Sequence, residues 1–135
     1  MSRFHEDPGF LTGRTPFLRD LPDDDCLHVV FVRSIDAHAE LTSVGVQDAL
    51  ASPGVVAVLT GADLSLAPFR FYDAIPEPFA RPPLVVDRIR TVGELIAVVV
   101  ADTPANALDA AEAVEVDATP LPALLTADIA IGGPP

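Results

Sequence analysis

The fold is decided by residues 90–104, which read RTVGELIAVVVADTP. Seven consecutive apolar residues run from Leu95 to Ala101, and several of them are β-branched. A run this short and this uniformly apolar is typical of a strand that is buried on both faces. Thr103 and Pro104 follow it, and they suit the N-cap and the first position of a helix. The sequence therefore predicts a central buried strand that leads directly into a helix.

The composition limits the classes of partner. The 135 residues carry a formal net charge of −12, and all eight cationic side chains are arginines. Such an acidic chain repels phosphate backbones and anionic lipid surfaces, so we expect neither nucleic acid nor a membrane as partner. Half of the residues are apolar, which in one small domain favours a packed neighbour. The single cysteine, Cys26, and the lack of an apolar leader at the N-terminus favour the cytoplasm.

The chain divides into an arm, one domain and a tail. We expect an extended N-terminal arm over residues 1–27, a single domain over 28–118, and a Pro/Gly-rich tail or linker over 119–135. The predicted strands are 27–33, 38–44, 55–59, 85–91, 95–101 and 114–118, and the predicted helices are 46–51 and 103–113. Residues 62–83 hold five of the 14 prolines and four aromatic residues, and they predict a long irregular loop. The resulting β-β-α-β order occurs twice, which predicts an α/β (α+β) domain with two helices packed on a mixed sheet.

Several short motifs in a fixed order are similar to a known domain. They are FLTGR at 10–14, PGVVAVLTGADL at 53–64, VGE at 92–94, AVVVA at 97–101, VEVD at 114–117 and PLPA at 120–123. Together they resemble the N-terminal a/b hammerhead domain of the molybdopterin-binding large subunit of the xanthine dehydrogenase, aldehyde oxidase and aerobic carbon monoxide dehydrogenase family. No single motif is specific, but the ordered set covers more than a hundred residues.

The resemblance implies a role within a larger enzyme. Complexes of this family use molybdopterin, iron–sulfur clusters and FAD, and we expect none of these cofactors to be bound by this chain. The family's catalytic glutamate and its cofactor motifs lie further along a much longer subunit. No catalytic residue can therefore be carried over, and the partners implied are the other domains or subunits of a molybdenum hydroxylase.

Some residues nevertheless suit acid–base chemistry. The candidates are His28, Asp36, His38, Glu94 and Tyr72. On a strand, Asp36, His38 and Glu40 would share one face, where they could bind a metal or simply face solvent. We favour the solvated face and predict no metal site. Glu94 is more simply explained as a charged residue at the start of a strand.

The aromatic loop is the place where we expect any small anionic ligand. Its candidate binding residues are Phe69, Arg70, Phe71, Tyr72 and Arg81. Aromatic side chains on loops more often serve packing than ligand binding, so both interpretations stay open.

Two functions follow. The first is a non-catalytic structural or interaction domain, or a split subunit, of a molybdenum hydroxylase, which is an oxidoreductase. The second is a free-standing hammerhead domain that binds or converts a small organic molecule by acid–base chemistry without a cofactor.

Overall fold

The computed structural model of the protein describes residues 7–22, 25–64, 66–70, 72, 74, 76 and 79–132. Its strands are β1 (His28–Arg33), β2 (Ala39–Gly45), β3 (Val55–Thr60), β4 (Arg88–Ile89), β5 (Leu95–Ala101) and β6 (Glu115–Pro120). Its helices are α1 (Asp7–Leu11), α2 (Gln47–Ala51), α3 (Pro104–Glu112) and α4 (Ala127–Gly132), and a 3₁₀ turn spans Leu18–Asp20. The predicted α/β class and the repeated β-β-α-β order from β1 to β6 are confirmed.

The strands form two three-stranded sheets rather than the single mixed sheet that we expected. The first sheet has the order β1-β5-β3 and the second β4-β2-β6, and every pairing between these strands is antiparallel. The first β-β-α-β unit ends with β3 and the second begins with β4. Each sheet therefore takes its central strand from the other unit. This exchange of central strands ties the two units into one domain.

Strand β5 is central because its two faces contribute to two different cores. Its Ala97 and Val99 pack with Ala49 of α2 and Ala110 of α3, so both helices cover one face of the first sheet. Its Ile96 points the other way and packs against the second sheet, with the buried residues Ala39, Val85 and Ile89. The predicted burial on both faces of this strand is thus confirmed at its Leu95 end.

The face of the first sheet that lies opposite α2 and α3 is apolar, and beyond Ile96 it is partly exposed to solvent. Directly paired residues of antiparallel strands point to the same side, and side chains alternate along each strand. The register therefore places Val29, Phe31, Ala57, Leu59, Val98 and Val100 together on the face opposite the helices. Val29 is 51% exposed and Phe31 44% exposed, and the other four are half-buried. We call these six residues the open face.

Local signals set the start of α3. Thr103 has an extended backbone, and its side-chain oxygen accepts a hydrogen bond from the Asn106 backbone N–H at 3.2 Å. Pro104 occupies the first turn, where its missing N–H has no intrahelical acceptor in any case. The helix therefore begins where the sequence predicts, one residue after Thr103.

The predicted strand over residues 85–91 is wrong except for Arg88–Ile89. Both edges of β5 are already paired with β1 and β3. Val85 can therefore reach this sheet only at its end, where the Val85 N–H donates to the Leu95 carbonyl at 2.8 Å. Leu84 and Val85 are buried, but they lack the neighbouring strand that a ladder requires.

The two ends of the chain contain short helices that we did not predict. The arm was expected to be extended, but α1 and the 3₁₀ turn lie within it, and Phe10 stacks on Phe17 with ring centroids 5.1 Å apart. Helix α4 lies in the tail and buries none of its residues. No helix in the described part of the chain has both the length and the apolar character needed to span a bilayer.

Candidate functional site

A groove lies where the turn after β4 meets the segment that follows β6. It has a volume of about 400 Å³. Its described lining residues are Ala37, His38, Arg81, Arg90, Thr91, Val92, Ala123, Leu124 and Leu125. The groove therefore brings together two of the candidate residues, His38 and Arg81, with Arg90, which we did not single out.

His38 has a structural role in this groove. Its Nδ1 lies 2.7 Å from the Pro122 carbonyl oxygen. Because a carbonyl can only accept, the ring must donate this hydrogen bond from Nδ1–H. The Leu121 backbone N–H also donates to the His38 carbonyl at 2.9 Å. Together these bonds fix the segment after β6 against the start of β2.

Asp36 does not share a strand face with His38 and Glu40. It precedes β2 and lies in a turn closed by the buried Ser34, whose hydroxyl accepts from the Asp36 N–H and donates to the Asp36 carbonyl, both at 3.0 Å. The strand begins only at Ala39. Within the described residues, no group of three or more His, Cys, Asp or Glu side chains is arranged to hold a metal ion.

The Glu94 carboxylate closes the turn that precedes β5. Its Oε2 accepts a hydrogen bond from the Arg90 backbone N–H at 2.6 Å. The backbone around it is tied to Ser34, since the Ser34 N–H donates to the Glu94 carbonyl at 2.9 Å and the Gly93 N–H donates to the Ser34 carbonyl at 2.8 Å. These contacts are those of a side chain that shapes a turn.

The described aromatic side chains of the loop, Phe69, Tyr72 and Phe79, are exposed to solvent. Phe69 and Arg81 form an antiparallel backbone pair, with N–H to carbonyl distances of 2.7 and 3.0 Å. Phe69, Arg70 and Tyr72 are exposed, and Phe71 lies outside the described residues. Of the four predicted ligand-binding residues that the structure describes, only Arg81 lines the groove beside Arg90.

The remaining candidates lie elsewhere. His28 is half-buried at the start of β1, opposite Ala101, and belongs to the first sheet, whereas His38 adjoins the second. Cys26 is exposed, and one cysteine cannot hold an iron–sulfur cluster. Of the acidic run 23–25, only Asp25 is described, and it is exposed. His28 and His38 therefore do not form one acid–base pair, and the His38 ring is already hydrogen-bonded to Pro122.

One carboxyl group in the described residues has a perturbed pKa. The Thr60 hydroxyl and the Thr60 backbone N–H donate to Asp63 Oδ2 at 2.7 and 2.8 Å. These hydrogen bonds stabilise the carboxylate and lower the pKa of Asp63 below its ordinary value of 3.8. The side chain closes the turn that follows β3, so the shift reflects local structure.

Sequence reasoning missed Arg90 and the two leucines at 124–125 as groove residues. Arg90 precedes the β-turn and shows no pattern of its own, and only the pairing of β2 with β4 and β6 brings its turn to the segment after β6. The one local signal is that Leu124 and Leu125 are adjacent large apolar residues in a tail rich in Pro and Ala.

The sequence matches one family profile over most of its length. Residues 12–122 match the family described as aldehyde oxidase and xanthine dehydrogenase, a/b hammerhead domain. Among curated proteins, the chain is 38% identical to the 6-hydroxypseudooxynicotine dehydrogenase complex subunit gamma of Paenarthrobacter nicotinovorans, and the match covers 95% of this chain and 17% of that protein. It is 36% identical to the carbon monoxide dehydrogenase large chain of Afipia carboxidovorans, over 89% of this chain and 15% of that one.

Solved structures agree with these relatives. The fold superimposes on quinoline 2-oxidoreductase from Pseudomonas putida 86 with a TM-score of 0.84 and 37% sequence identity. The alignment covers 97% of this chain and 17% of that chain. The chain thus spans about a sixth of the length of these three proteins.

Proposed function

Because the chain belongs to the a/b hammerhead domain family of aldehyde oxidases and xanthine dehydrogenases, we propose that it acts as a non-catalytic structural domain of a molybdenum hydroxylase large subunit, or as a separately encoded part of one. Its task is to pack against the remainder of that enzyme. The relatives that support this role are about six times longer, so most of the polypeptide of such an enzyme lies outside the 135 residues.

The open face is the observation that carries this proposal. An antiparallel sheet with one solvated face normally alternates apolar and polar residues, whereas strands buried on both faces are apolar throughout. All six residues of the open face are apolar, yet Val29 and Phe31 are about half exposed. Burying the exposed remainder of these two side chains would contribute about 1 kcal/mol each. The face therefore has the composition of a buried surface, and we propose that another part of the enzyme packs on it.

The implied enzyme would use molybdopterin, iron–sulfur clusters and FAD, and would oxidise a carbon centre with water as the source of oxygen. One cysteine cannot hold an iron–sulfur cluster, so the clusters of such an enzyme would be held by other polypeptide. This chain's own contribution would be the packed surface. We place the complex in the cytoplasm on the strength of the single cysteine.

A pair of charge substitutions tests the proposal. The chain is co-expressed with the polypeptide that carries the molybdopterin-binding segments of the same enzyme, and co-purification is measured. Phe31→Glu places a charge on the open face and should abolish co-purification, because a buried unpaired carboxylate is strongly unfavourable. Leu108→Glu places the same charge on the exposed side of α3 and should not. Equal retention of both variants would contradict a covered open face.

A further inference from the structure

The groove contains the guanidinium of Arg90, in a chain that carries 20 acidic and eight basic residues. None of the described lining residues is a carboxylate. Arg90 therefore gives this groove a group that attracts a negatively charged ligand.

Arg90 is held in place without strong compensation of its charge. Its Nη1 donates to the Arg88 carbonyl at 2.8 Å, and its Nη2 lies 3.8 Å from Asp87 Oδ1. The Arg90 side chain is 32% exposed and the Asp87 side chain 76%, so this ion pair is weak and screened by solvent. The Glu94 carboxylate is engaged by the Arg90 backbone instead. The guanidinium is therefore oriented and keeps donors for a further carboxylate.

The opposite wall of the groove is apolar. Leu124 is 54% exposed and Leu125 79%, and Val92 is also exposed beside Arg90. The hydrogen bond from His38 to Pro122 fixes the segment that presents these leucines. A ligand that fills about 400 Å³ here needs a carboxylate on one side and apolar side chains on the other.

We propose that this groove binds a short acidic segment of a second polypeptide stretch of the same enzyme, with a leucine-like side chain next to a Glu or Asp. A small free acid would leave the two leucines uncovered, and a phosphate polymer would offer them no apolar side chain. A protein segment satisfies both walls. The statement that the segment comes from the same enzyme rests on the proposed function. The preference of the groove for a carboxylate next to an apolar side chain does not.

The test uses the full ¹⁵N-labelled chain and two capped peptides, acetyl-Leu-Glu-Asp-Leu-amide and its neutral counterpart acetyl-Leu-Gln-Asn-Leu-amide. The acidic peptide should shift the backbone amide signals of Ala37, His38 and residues 90–92, and should bind about fivefold more tightly than the neutral one. Raising the salt concentration from about 0.05 M to about 0.5 M should weaken the acidic peptide selectively.

Matched variants separate the groove from general charge. Arg90→Gln should weaken the acidic peptide about fivefold, Arg90→Lys should weaken it less, and Arg88→Gln should leave its affinity unchanged because Arg88 does not line the groove. Amide signal dispersion confirms that each variant is folded. In the assembled enzyme, Arg90→Gln should lower the salt concentration at which the chain dissociates, and Arg88→Gln should not.

Three results would overturn the inference: equal affinity for both peptides, equal losses in the Arg88 and Arg90 variants, or no shifts at millimolar acidic peptide. If acetate bound with the same affinity as the acidic peptide, the groove would be a site for small acids, and this result would also overturn the inference. A chain that co-purifies with its partner but fails these tests would leave the proposed function standing. A chain that binds the peptide but has no partner would contradict the proposed function alone.

Discussion

At the scale of single residues, Gly54 joins the turn before β3 to the start of α3. Its φ angle is +71°, and its carbonyl accepts the Asp102 backbone N–H at 2.9 Å. A Cβ at this position would collide with the side chains of Asp102 and Asn106, which are themselves hydrogen-bonded at 2.7 Å. The backbone conformation and the lack of space both require glycine here.

We predict that Gly54→Ala lowers the free energy of unfolding by more than Gly93→Ala does. Gly93 also has a positive φ of 82°, but a Cβ there would meet nothing within 4 Å. Gly93→Ala should therefore cost about 1 kcal/mol of backbone strain, and Gly54→Ala about 2 kcal/mol or more. Urea denaturation measures both. Equal decreases in the free energy of unfolding would show that the close approach to Asp102 and Asn106 does not affect stability.

Asp63 gives a pH-dependent prediction. Its pKa in the folded state is lowered by hydrogen bonds from Thr60, so folding favours the charged carboxylate. The resulting stabilisation is present above the ordinary pKa of 3.8 and is lost as the pH falls through the lower folded-state pKa. Asp63→Ala should therefore be less stable than the wild type at pH near 7, and this difference should shrink below pH 4. A difference that stays constant between these pH values would contradict the assignment.

At the scale of elements, α3 and α4 both have a threonine at the N-cap, but only α3 is packed in a core, so the energetic effects of the two caps can be compared. Thr103 caps α3, which packs into the first core, and the Thr126 hydroxyl accepts the Ile129 N–H at 3.4 Å in α4, which buries nothing. Thr103→Ala should reduce the free energy of unfolding by about 1 kcal/mol, whereas Thr126→Ala should leave it unchanged. Thermal unfolding of the two variants checks this. A loss in Thr126→Ala would mean that α4 is docked in solution.

The elements that the sequence predicted are those with local signals. Leu95–Ala101 has an unbroken apolar run, and Thr103-Pro104 is a start signal for a helix, so both β5 and α3 could be located. Residues 85–91 hold three β-branched apolar residues among charged ones, and their pairing was limited because β5 has no free edge, which no local pattern reveals.

The candidate site was less predictable for the same reason. The groove is made by residues that are distant in the chain, Arg81, Arg90 and Leu124 among them, and they meet through the second sheet. The expectation of one face for Asp36, His38 and Glu40 failed because Ser34 holds Asp36 in a turn. An alternating pattern shows which side chains share a face only for residues that lie within the strand, and the first residue of the strand is difficult to predict from sequence.

At the scale of the whole molecule, the two sheets and their helices enclose two buried apolar clusters, while other large apolar side chains remain exposed. Side chains such as Phe31, Phe69, Leu125 and Ile131 are all exposed. Of these, Phe31 belongs to the open face, whose six apolar residues lie together on one side of the first sheet. The fold thus supports the proposed role in assembly.

Hydroxyl-radical footprinting of Phe31 tests this role most directly, comparing the isolated chain with the assembled enzyme. Phe31 is 44% exposed in the chain alone, and its oxidation rate should fall severalfold on assembly while that of Leu108, on the far side of α3, changes little. An unchanged oxidation rate at Phe31 in an active, assembled enzyme would show that the open face stays in solvent and would contradict its role as a packing surface.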